Sequence, residues 1–203
     1  MKNSILAAVV GCRLYVLSIF LVYVISCTVG ILMVHTGNKF ALSERDKIVG
    51  VAVQTDKAAL NYQSGKKFTA ALYDFAGNLF IAAIPQTVIG LAIVPPYFTV
   101  AYQGWVGGIV SVNGSHQSRL TSFKSSVYYL IVLLLQFTAF SLSIGAGIKC
   151  GVDTYKRNLE VSWRFWKFRI PKESLADVGY VYLVSLPVFL AASSFEFLSS
   201  WNM

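Results

Sequence analysis

The chain has 203 residues, of which 56% are hydrophobic and only 13% charged, with a mean hydropathy of +0.61 and a formal net charge of +8. A soluble domain carries charge on about a quarter of its residues, so this composition excludes that class and points to an all-α, polytopic membrane bundle forming a single domain. In a soluble chain the positive charge would suggest nucleic acid. Here the basic residues fall between apolar runs, so anionic lipid headgroups are the expected partner and nucleic acid is not.

In chain order, Lys2 and Arg13 precede a charge-free run over 14–34. It is too long for the core of a cleavable signal peptide and has no small-x-small cleavage site, so it reads as a retained first span. Residues 35–70 mix His35, Lys39, Glu44, Arg45, Asp46, Lys47, Asp56, Lys57, Lys66 and Lys67 with aliphatic residues, the pattern of one or two short amphipathic helices. Ser43, three residues before Asp46, marks a helix start. The second span is expected over 72–94, with Asp74 at its edge, Asn78 inside and Pro85-Gln86 near the middle. Proline removes a backbone hydrogen bond, so a kink or break is expected there, and Pro95-Pro96 ends the span.

The third apolar stretch, 97–112, carries Gln103, Gly104, Gly107 and Gly108 and reaches only about 24 Å as a helix, short for a full crossing. Gly104 and Gly108 have the four-residue spacing that lets helix backbones approach closely. Asn113-Gly114-Ser115 matches a glycosylation sequon close to the membrane and is expected to stay bare. The fourth span, 127–148, is the stretch around which the rest is organised. Gln136 lies inside it, where an amide must find a partner within protein, and Gly147 and Gly151 repeat the close-packing spacing at its end.

Residues 149–177 form the most basic connector, with Trp163, Arg164, Trp166, Lys167 and Arg169 grouped as expected of a helix in the headgroup layer, ending at Pro171. A last span covers 178–197 and contains Pro187. Five crossings put the termini on opposite sides of the membrane. The basic cluster right after the fourth span favours a cytoplasmic N-terminus in a cytoplasmic, or inner, membrane.

The segment Gln136-Phe-Thr-Ala139 followed by Ala146-Gly147-Ile148-Lys149-x-Gly151 resembles the signature of the stage II sporulation protein M family of integral membrane proteins. Asn78 ahead of a proline-bearing run and Gln103-Gly104-x-x-Gly107-Gly108 are similar to two further segments of that family, so the likeness covers about 75–151. The family usually has glutamate where this chain has Gln136, a His-Gly pair where it has Val132 and Leu133, and asparagine at Gln103. The resemblance implies a non-catalytic assembly or scaffold subunit of a cell-envelope membrane complex, with other membrane subunits or further copies of itself as partners.

No catalytic constellation is visible: the two histidines lie in connectors, Asp74 is the only acid read as near the membrane interior, and no Cys/His set has metal-ligand spacing. Neither an enzyme activity, a cofactor nor a disulfide among the three cysteines is expected. The alternative to assembly is a transport component, suggested by Asn78, Gln86, Gln103 and Gln136 inside apolar runs and by the proline next to a short third stretch.

Overall fold

A computed structural model describes residues 2–161 and 170–199. Among these residues the chain is helical, apart from turns and one isolated bridge between Val112 and Ser118. Helix α1 (Lys2–His35) has 34 residues, about 51 Å of helix, because nothing in its leucine-, isoleucine- and valine-rich run interrupts it. It stops where Gly37 turns to φ 75°, with Gly37 N–H donating to Val34 O and Asn38 N–H to Met33 O, satisfying two carbonyls of the last turn.

The next helix, α2 (Lys39–Thr55), starts at an Asn38 cap whose Oδ1 accepts from Ala41 N–H at 3.1 Å. The expected cap at Ser43 is therefore five residues too late, because Asn38 supplies a cap directly after the α1 turn. Asp56 closes α2 and caps α3 (Lys57–Gln63), giving the two short connector helices that the mixed charge pattern implied.

The second rod runs over α4 (Lys67–Ala76), a π-helical segment (Gly77–Ala83) and α5 (Ile84–Gly90). No break occurs at Pro85. The preceding segment widens to i→i+5 bonding, with Ile84 N–H donating to Leu79 O, so the proline ring enters at the start of a fresh α-turn. This rod begins and ends several residues before the expected 72–94. Pro95-Pro96 then opens α6 (Pro95–Ile109), where a missing N–H costs nothing. Ser122, whose Oγ accepts from Ser125 N–H, caps α7 (Phe123–Val161), and α8 (Lys172–Leu198) follows Pro171.

Among the described residues, four stretches are long and apolar enough to cross a membrane: Ser4–His35, Lys67–Gly90, Phe123–Arg157 and Lys172–Leu198. The fifteen-residue α6 is about 22 Å long. Side-chain partners fix the directions. Ser18 meets Tyr97 and Tyr23 meets Gln103, so α6 runs parallel to α1; Tyr23 stacks on Phe137 and Gly11 faces Lys149, so α7 runs against α1. Phe140 meets Phe189 and Tyr128 meets Phe195, so α8 runs against α7. Of the apolar window in α7, 72% is buried, against 22% in each of the other three, which makes α7 the centre of the bundle.

The helix that carries the expected fourth span runs on past Ile148. Helix α7 continues to Val161, because Lys149 is neutralised where it stands rather than by leaving the bundle: its Nζ lies 2.7 Å from Asp153 and 3.0 Å from Asp177 of α8. The interfacial cluster Trp163, Arg164, Trp166, Lys167 and Arg169 lies outside the described residues.

Candidate functional site

The glycines define how closely the helices approach. A β-carbon on Gly104 would strike Ser26 Oγ and Tyr23 O, and one on Gly108 would strike Cys27 O and Ile31 N, all on α1. On the other side of the bundle, Gly147 faces Thr87 O, Gly151 faces Leu91 O, and Gly90 faces Gly147 itself. All four glycines singled out by spacing therefore serve packing within the chain, α6 on α1 and α5 on α7. Between the latter pair, Thr87 Oγ1 donates to Ala83 O (2.8 Å) or Ser143 O (3.1 Å) and lies 2.8 Å from Tyr182 Oη, tying α5 to α7 and α8.

Of the four intramembrane amides named by sequence, Gln103, Asn78 and Gln136 separate into two places. Gln103 accepts from Tyr23 Oη at 2.7 Å and belongs to the α1–α6 seam. Asn78 and Gln136 instead converge on the last turns of α8. Asn78, in the π-helical segment, donates to Asp74 Oδ2 at 2.9 Å, and the buried hydroxyl of Ser193 donates to the same oxygen at 2.7 Å. Gln136 Nε2 donates to Glu196 Oε2 at 2.8 Å, and Tyr128 Oη donates to the Glu196 carbonyl at 2.6 Å. Ser193 and Glu196 are three residues apart and share one face of α8. Two carboxyls and two amides from three rods thus form one cluster.

Its surroundings differ at the two ends. Towards the middle of the bundle, one turn from Gln136 and one from Ser193, Phe140 meets Phe189 edge-on at 4.9 Å, and Phe137 stacks on Tyr23 at 4.7 Å. These rings close the cluster with apolar surface. At the opposite end lies α3: Tyr62 packs edge-on against Phe197 at 5.6 Å, and the Lys57 ammonium stands 5.7 Å from the ring centre of Tyr73. The exposed Asp56, which caps α3, is close enough for its charge to act on both Asp74 and Glu196.

The expectation that Asp74 is the only acid near the interior is therefore incomplete. Glu196 sits two residues from the end of α8 and reads in sequence as an edge charge, but the register of α8 on α7 brings it beside Gln136. Gln86 is buried with its Oε1 unpartnered, as are the hydroxyls of Ser111 and Ser141.

On the connector side, Arg45 is only 4% exposed; its Nε donates to Val112 O at 3.3 Å and its guanidinium pairs with Asp46 at 2.9 Å. The other Asp46 oxygen lies 2.8 Å from His116 Nε2, and these two hydrogen bonds hold the Asp46 carboxyl below the usual carboxylate range. Asn113 Oδ1 accepts from the N–H groups of Ser115 and Gln117, so the sequon asparagine shapes the loop that Arg45 anchors. The three cysteines are buried and free. Among the described residues, no three His, Cys, Asp or Glu side chains converge as metal ligands.

No family model matches the chain, and no curated protein or solved structure is significantly similar to it.

Proposed function

We propose that the chain is a component of a membrane transport system in which the Asp74–Asn78–Ser193–Gln136–Glu196 cluster binds and releases a proton. The observation that carries this reading is the convergence of two carboxyls on the last turns of α8, Asp74 through Ser193 and Glu196 itself, inside apolar rods and each held by an amide from another turn or helix. Ionisable groups at such depth are costly and mark coupling sites far more often than scaffolding. Two like charges side by side in hydrocarbon call for a compensating positive charge. The Asn78 and Gln136 amides and the Ser193 hydroxyl reach these carboxyls as N–H and O–H donors, which suits a carboxyl–proton site better than the oxygen cage a hard metal cation takes.

In this reading α6 completes a fifth crossing, the N-terminus is cytoplasmic, and the cluster exchanges with the side bearing α2 and α3, since the phenylalanine layer seals the other end. The test is proton movement into vesicles holding the purified full chain under an imposed membrane potential. The wild type should move protons, and Glu196→Gln and Asp74→Asn should not. Wild-type vesicles that behave like empty ones would overturn the reading.

A second reading is the non-catalytic assembly subunit of a cell-envelope complex. It is favoured by the likeness of the 136–151 motif to the stage II sporulation protein M family, now on the central helix of the bundle. Against it, the glycine faces that would dock partner helices are filled by the chain's own α1 and α5. A stoichiometric envelope partner retained through mild-detergent purification would favour assembly, and its absence the transport reading.

A further inference from the structure

Arg13 is the one formal charge between Lys2 and His35 on α1, and it borders the charge-free run that crosses the membrane. Its side chain is exposed, and no carboxylate among the described residues lies within ion-pair distance of it. The acids nearest in depth, Asp153 and Asp177, are held by Lys149, which packs on Gly11. Two residues along a helix is about 200° of rotation, so Arg13 points away from that cluster. With no carboxylate of the described residues to pair with, the guanidinium is free to meet an anion in the headgroup layer.

The surface beside Arg13 is concave. Val9, Arg13, Val16 and Phe20 form a stripe on α1 that faces Thr138 and Ser141 of α7, and between them runs an apolar groove of about 280 Å³. From Val9 to Phe20 it extends about 16 Å along the helix, half of a bilayer's hydrocarbon thickness. The concavity arises because α7 presents small side chains there, while Gly145 lets the helix sit against the backbone of Val16. Helical side chains lean toward the N-terminus, which favours the Arg13 head at the end of the groove nearer Val9, with Leu17 and Phe20 lining the deeper part.

From this charge and shape we infer an anionic phospholipid site: an acyl chain lies in the α1–α7 groove and its headgroup phosphate accepts hydrogen bonds from the Arg13 guanidinium, in the leaflet on the N-terminal side. Arginine suits this role because its fork meets two phosphate oxygens at once.

The test uses the full chain, delipidated in detergent, with phosphatidylglycerol and phosphatidylcholine of identical acyl chains, reading lipid affinity from the shift of the thermal midpoint and lipid retention by native mass spectrometry. The wild type should prefer phosphatidylglycerol. Arg13→Gln should lower that preference roughly fivefold, the worth of one interfacial cation, and Arg13→Lys, which keeps the charge but loses the fork, should fall between Arg13→Gln and the wild type. Leu17→Trp, which fills the groove and keeps the charge, should weaken both lipids together. Equal affinity for the two lipids in the wild type, or an undiminished preference in Arg13→Gln, would overturn the inference.

Discussion

Replacing Gly108 by alanine tests the packing logic at its tightest point. The added methyl would collide with Cys27 O, with Ile31 N at 2.8 Å and with the Gly30 α-carbon at 2.9 Å, all of them backbone atoms that no rotamer change can move. Helix α6 must therefore retreat from α1, and forcing extra carbon into a filled core costs about 1–3 kcal/mol. The upper end applies here, since the Gly30–Trp105 contact lies in the same seam. Against this stands the helix preference of alanine over glycine, about 1 kcal/mol. The net expectation is a loss of about 2 kcal/mol, read as an earlier unfolding transition in denaturant titration of the detergent-solubilised protein. The matched control is Gly179→Ala on α8, where the new β-carbon meets nothing within 4 Å and the change should be neutral or mildly stabilising. Equal behaviour of the two variants would refute the idea that the glycine spacing sets the α1–α6 distance.

Two further outcomes follow from charged contacts away from the acid–amide cluster. Lys149→Met leaves Asp153 and Asp177 facing one another without their cation, and because all three groups keep some exposure the loss should be about 1–2 kcal/mol in the same titration. For the connector loop, the Asp46 carboxyl titrates lower in the folded chain than an ordinary aspartate, at 3.8, so its contribution is complete above that pH and disappears as pH falls through the lower folded value. Hydrogen exchange across 112–118 should therefore keep its protection from neutral pH into the mildly acidic range and lose it only below the ordinary carboxylate range. Loss already near pH 6 would show that Asp46 is not what fastens the loop.

Much of the bundle was legible from local pattern. The run containing Gln136 proved to be the buried central helix, the glycine pairs mark close helix contacts, and residues 35–70 fold as two short connector helices. What escaped depends on register between distant segments. Hydropathy ends the fourth span at the first charge, Lys149, but two aspartates four and twenty-eight residues away keep that lysine in the bundle. Pro85 alone implies a break, while the widened turn that accommodates it leaves no separate mark in the sequence. Glu196 falls at the end of an apolar run, and only the seating of α8 on α7 shows that it answers the amide of Gln136, sixty residues earlier.

The central claim is that the cluster holds an exchangeable proton, and infrared difference spectroscopy of the protein in lipid bilayers, recorded across a pH titration, addresses it most directly. The account predicts a reversible carboxylic acid C=O band from a protected environment, abolished or displaced in Glu196→Gln and Asp74→Asn and shifted in frequency by Gln136→Leu, which removes the amide hydrogen bond. A titration in which the three variants match the wild type would contradict it.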